Sequence, residues 1–235
     1  MWLIALLASS LATAGCGNMT ARGLNAQGVR QFEQARYEQA IQQFQQAVYN
    51  DPTNADGHYN LAAAYHRLGT LNKSDSYLRQ AEQYYHMCLD RNADHRQCYR
   101  GLAVLLVEQD RKDEAFRLLE GWATRGTNLA EPKVELARLY QEHGERDEAK
   151  RQLIEALRTD PNHARALAAL GKLREDTGDM AQALADYKRS LVKDRYQPEV
   201  AARVSALQSA FSPSPLVTIP PSGTQTAGRG TTTLR

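Results

Sequence analysis

The sequence predicts an all-α fold, a solenoid of about five helix pairs closed by one C-terminal helix. Three observations carry this. Ala130 to His163 reads as a complete two-helix unit: Leu136, Ala137 and Tyr140 mark one face of a first helix, and Gly144 ends it. Ala149, Leu153 and Ala156 then mark one face of a second helix that stops at Pro161. The pattern recurs on both sides, from Ala21 to about Gln197. So short a unit cannot bury its apolar face alone, and stacked copies are what give it a core.

Counted from Ala130, the seventh and eighth positions hold Leu136 and Ala137, the eleventh Tyr140 and the fifteenth Gly144. The twentieth holds Ala149, the twenty-fourth Leu153, the twenty-seventh Ala156 and the thirty-second Pro161. This register resembles the tetratricopeptide repeat, with Lys133 at the fourth position the one departure. The resemblance implies a right-handed α-solenoid with a period of about 34 residues. The family binds many different partners, so the fold alone does not name the function.

Along the chain, Met1 to Gly15 is an apolar run too short to span a bilayer as a stable helix, and small residues precede Cys16. Thr13-Ala14-Gly15-Cys16 resembles a bacterial lipobox, which makes residues 1–15 a signal peptide and Cys16 the lipidation site. A plainly cleaved secretory signal and an uncleaved anchor are the alternatives. Gly17 follows the cysteine in place of the aspartate associated with inner-membrane retention, so the expected location is the outer membrane, facing the periplasm. Residues 16–20 would form a tether reaching at most about 3.3–3.6 Å per residue, which keeps the repeats near the lipid headgroups.

The first repeat, 21–54, carries Leu24, Gly28, Ala40, Phe44, Ala47 and Pro52. Gln27, Gln31 and Ala35 replace its leucine, aromatic and turn glycine, as suits an end repeat with one face open to water. The second, 55–95, starts in register with Leu61, Ala62, Tyr65 and Gly69, but Ala81, Tyr85 and Cys88 follow after a seven-residue insertion. Helical spacing from Leu78 to Cys88 predicts a second helix about two turns longer than its neighbours, capped by Asn72 or Ser74; the added length is either a tolerated insertion or a projecting contact surface with Tyr77 and Arg79. The third, 96–129, has Tyr99, Leu102, Ala103, Leu106, Ala115 and Leu119. Trp122 stands where alanine is usual, which predicts a core indole that spreads repeats three and four or displaces the helix end. Repeat four, 130–163, is the unit described above. Repeat five, 164–197, has Leu167, Leu170, Gly171, Gly178, Ala183, Tyr187 and Ser190. Residues 198–211 read as a capping helix with Val200, Val204 and Leu207 inward and Arg203 outward. Residues 212–235, rich in Pro, Ser, Thr and Gly, are expected to be disordered.

Net charge is +2 without a Lys/Arg block, which argues against nucleic acid. Cys88 and Cys98 with His86 and His95 offer metal-ligand chemistry, yet their spacing matches no standard zinc pattern, and neither metal nor other cofactor is expected. Two packed thiols and a Cys88–Cys98 disulfide both remain open, the latter in keeping with an exported protein. His58, His66, His143 and His163 lie in different repeats with no nucleophile or carboxylate at a recognisable spacing, so no enzyme is expected.

The family usually lines its concave groove from the first helix of each repeat. Carried over, those positions are Asn25, Val29 and Phe32; Tyr59, Ala63 and His66; and Arg100, Val104 and Val107. Repeat four gives Val134, Arg138 and Gln141, and repeat five gives Arg165, Lys172, Glu175 and Asp176. The N-terminal half is apolar and aromatic and the C-terminal half charged, which suits a peptide or helix partner. Asn25 and Val29 do not supply the lysine and asparagine of the family's carboxylate clamp. The expected function is a membrane-tethered, non-enzymatic scaffold for another cell-envelope protein, similar in layout to pilotin or adaptor lipoproteins of pilus and secretion systems. The alternative is a homodimer formed through Trp122, Tyr77 and the long second helix of repeat two.

Overall fold

The computed structural model describes residues 20–126 and 128–211. The expectations for the signal peptide, Cys16, most of the tether and the tail lie outside these residues. Among them the chain forms eleven helices and no strand. The first-position helices are α1 (20–33), α3 (Ala55–Asn72), α5 (Arg96–Glu108), α7 (Glu131–Glu142) and α9 (Ala164–Asp176). Their partners are α2 (Tyr37–Asn50), α4 (Asp75–Arg91), α6 (Lys112–Arg125), α8 (Arg146–Thr159) and α10 (Met180–Lys193), followed by α11 (Pro198–Phe211).

Each first helix closes in the same way. Backbone bonds from Arg36 to Gln31, Ser74 to Gly69, Arg111 to Leu106, Glu145 to Tyr140 and Asp179 to Arg174 span the turns. The residue before each donor is left-handed: Ala35, Lys73, Asp110, Gly144 and Gly178. This is the Schellman closure, in which the chain reverses while the last carbonyls of the helix keep partners. Glycine stands there only in the last two repeats.

The return connections repeat as well. Asp51, Asn92, Asp160 and Asp194 each accept a hydrogen bond from the backbone N–H two residues on, at 2.9–3.3 Å. Asn54, His95 and His163, three residues after the first three of these, cap the next helix through a side-chain acceptor.

Repeat two differs from its sequence reading. The insertion does not all enter the second helix: α3 has 18 residues against 13 in α5, and α4 has 17 against 14 in α6. Gly69 is therefore not the turn glycine. It lies inside α3, where a Cβ would come within 2.7 Å of the Leu78 side chain, so its smallness admits α4 rather than bending the chain. Lys73 takes the left-handed position instead. Tyr77 is half-buried against Tyr65, which favours the tolerated insertion over a projecting surface at that residue.

Trp122 is 1% exposed; its indole lies flat on Tyr99, 4.2 Å between centroids, and its N–H donates to Asp94 at 3.0 Å. The core divides at α7. One apolar cluster runs from Ala40 to Leu139, and a second begins at Ala130 and continues to Leu173. Leu207 of α11 completes a third with Ala183 and Tyr187. Trp122 and Tyr77 thus do not form the open surface that a homodimer through them requires.

Candidate functional site

Helical spacing puts Val134, Arg138 and Gln141 on one face of α7, and Arg165, Ala168, Ala169 and Lys172 on the facing side of α9. With Arg100 of α5 and the first turn of α11, most of these residues enclose a cavity of about 420 Å³. A second cavity of about 460 Å³ continues toward Lys172 and Arg203, and a third of about 330 Å³ toward Arg146 and Asp176. Gln141 lines all three, which joins them into one trough. Its apolar floor is Val134, Ala168, Ala169 and Val200.

An ion network behind the floor holds the arginines in place. Glu135 is fully buried and accepts from Arg138 Nε at 3.1 Å and from Arg165. Glu131 accepts from Arg96 at 3.0 Å, Arg165 at 2.6 Å and His163 Nε2 at 3.1 Å. Burial by itself would raise the Glu131 carboxyl; the His163 hydrogen bond and the Arg165 and Arg96 charges outweigh it and lower it from 4.5 to about 2. His163 can serve both neighbours because its Nδ1 accepts from Ala166 N–H, which leaves the proton on Nε2 to be donated to Glu131. His95 does the same between Cys98 N–H and Asp56. These histidines are staples between repeats.

Three cations of the trough have coordination to spare. Arg138 Nη2 is buried without a hydrogen-bond partner, although the rest of its guanidinium bonds Glu135 and Glu142. Arg100 and Lys172 are exposed and form no ion pair among the described residues.

The structure therefore brings together seven of the groove positions read from the sequence: Arg100, Val134, Arg138, Gln141, Arg165, Lys172 and Asp176. Glu175 is held by Arg203 at 3.0 Å, so Arg203 reaches back to α9 rather than pointing away from the array. Asp176 lines the third cavity beside Lys172 and Glu142. The N-terminal positions are engaged within the protein. Asn25 accepts from Asn60 at 2.9 Å and lines a separate cavity of about 290 Å³. Phe32 meets the edge of Tyr37, and Tyr59 lies against Tyr85 and His95. His66 bonds Tyr85 and Glu108, Val29 and Val107 pack on the main core, and Ala63 and Val104 are half-buried.

Sequence reasoning missed Glu131, Glu135, Ala168, Ala169 and the first turn of α11. The signal for α11 was available. Pro198 at a helix start, one repeat beyond Ala164, puts this helix in the place of a sixth first helix and thus on the trough wall.

Cys88 and Cys98 are joined as a disulfide between α4 and α5, with their Cα atoms 6.6 Å apart. A His95 nitrogen and the two sulfurs lie within 4.8 Å of one another. In the bridged state neither sulfur is a thiolate, the form in which cysteine binds metal.

Family models for the repeat match three stretches: a TPR repeat at residues 28–69 and tetratricopeptide repeats at 55–85 and 134–198. The chain belongs to the tetratricopeptide repeat family. Its repeats make it a protein–protein interaction scaffold. A thermophilic TPR protein of Thermus thermophilus is similar over 80% of this chain and 99% of its own, with 22% identity and TM-score 0.58. For pilF of Pseudomonas aeruginosa the values are 83%, 86%, 17% and 0.53. For a tetratricopeptide repeat protein of Parabacteroides merdae they are 79%, 70%, 16% and 0.58. At these identities the likeness is one of fold. No curated protein sequence matches the chain.

Proposed function

We propose that this tetratricopeptide repeat protein is a non-enzymatic scaffold that is tethered to a membrane through Cys16 and holds a segment of another cell-envelope protein in its concave trough. The observation that carries the reading is the continuous trough around Gln141, apolar on its floor and lined by solvent-facing cations. The tether rests on the sequence Thr13-Ala14-Gly15-Cys16. Outer-membrane anchoring facing the periplasm would raise the local concentration of scaffold near envelope partners, so that modest affinity suffices. Assembly of a pilus or secretion complex, the work of a pilotin or adaptor, is the process such a layout suits.

The test is photocapture in membranes, with a photoreactive side chain at Gln141 and a control at Arg151 on α8. A partner captured from Gln141 and not from Arg151 supports the reading, and equal capture from both contradicts it. Release of a Cys16→Ser variant from the membrane fraction supports the tether. Retention of that variant contradicts it.

A further inference from the structure

We infer that the trough selects carboxylates: its occupant is an extended partner peptide that lays apolar side chains on Val134, Ala168 and Val200 and brings Asp or Glu side chains to Arg100, Arg138 and Lys172. The inference rests on the trough being the partner site, as proposed above, and goes further in naming the chemistry of the partner.

The charge balance of the trough leads there. The carboxylates behind its floor are already committed, Glu131 to Arg96, Arg165 and His163, and Glu135 to Arg138 and Arg165. On the side open to a ligand the cations are in excess. Over the three cavities, Arg100, Arg138, Arg146, Arg165, Lys172 and Arg203 stand against Glu142, Asp176 and Glu199. Arg138 lines the main cavity while its Nη2 lies buried without an acceptor, so a carboxylate that draws the guanidinium toward the trough would relieve a costly orphan donor. Arg100 and Lys172 are free to close on the same ligand from either side. The floor then asks for apolar side chains. In an extended peptide successive side chains point to opposite sides, so acidic and apolar residues in alternation can meet rim and floor together.

The test uses the purified full chain and fluorescence polarisation. The probe is a labelled, C-terminally amidated nonapeptide in which leucines alternate with glutamates; its counterparts carry glutamine or lysine in place of glutamate. The glutamate peptide should bind at least ten-fold more tightly than the other two and weaken as salt rises. Replacing both exposed cations, Arg100→Ala with Lys172→Ala, should cost a further ten-fold or more without changing the melting temperature, whereas Arg151→Ala should change nothing. Arg138→Gln is kept as a second variant because its buried pairing with Glu135 makes it a folding risk.

Equal binding of the glutamate and glutamine peptides would overturn the inference while leaving apolar docking in the trough intact. Preference for the lysine peptide, or binding of none of the three, would also overturn it. So would phosphatidylglycerol vesicles that bind through Arg100 and Lys172 when the peptides do not, since the trough would then face lipid. Photocapture at Gln141 tests the trough itself independently of all these outcomes.

Discussion

At the scale of single residues, the repeat tolerates substitutions that look costly until their partners are seen. Ala35 holds a left-handed conformation, φ 58°, in a turn where the fourth and fifth repeats use glycine. That conformation costs an L-residue about 1–2 kcal/mol, part of which glycine gives back in chain entropy. Ala35→Gly should therefore stabilise the protein by about 0.5–1 kcal/mol in urea unfolding; a loss of stability would contradict the assignment of strain. Trp122 shows the opposite case. An indole in an alanine position is kept because it stacks on Tyr99 and donates to Asp94. Trp122→Ala should cost about 3–5 kcal/mol, and a cost below 1 kcal/mol would show that the site collapses freely. Glu131 carries a pH dependence. Its folded value of about 2 lies below the unfolded 4.5, so its stabilisation is complete above about pH 4.5 and is lost as pH falls toward 2. Glu131→Gln should flatten the stability profile across that window, measured by unfolding at stepped pH, and an unchanged slope would refute the role.

At the scale of elements, the repeat pattern located the helices because small and large residues alternate at fixed spacings along them. It misread repeat two because Gly69 satisfies the turn position by identity while serving a different purpose. A glycine that bends a chain and one that admits a neighbouring helix are the same letter, and only the Leu78 side chain separates the two uses. The cysteine pair was equally ambiguous, since Cys88 fits the small inward position as a thiol or as half of a bridge. The disulfide pins the end of α4 to the start of α5 across a sequence separation of 10. Closing a loop of that size contributes about 3 kcal/mol in the chain-entropy account. Reduction, or Cys88→Ser with Cys98→Ser, should lower the melting temperature, and no shift would mean that neighbouring contacts already fix this junction.

At the scale of the whole molecule, the array was legible and the trough only in part. Seven groove positions carried over because they lie on the trough-facing sides of α5, α7 and α9, where helical spacing determines direction. The aromatic N-terminal positions are tied into the fold, because Phe32, Tyr59 and His66 find partners on adjacent helices that a single-helix register cannot display. The final helix extends the trough by a wall that reads in sequence as a mere cap. The core divides at α7, whose Leu136 and Leu139 join the N-terminal cluster rich in internal aromatic contacts and whose Val134 and Ala137 join the C-terminal one, beside which the cationic channel opens. The measurement that bears most directly on this division is photocapture scanned along the concave face, from Phe32 to Val104, Gln141 and Val200. Capture of one partner confined to Gln141 and Val200 is the predicted result; capture centred on Phe32, or equal to that from Arg151, would contradict it.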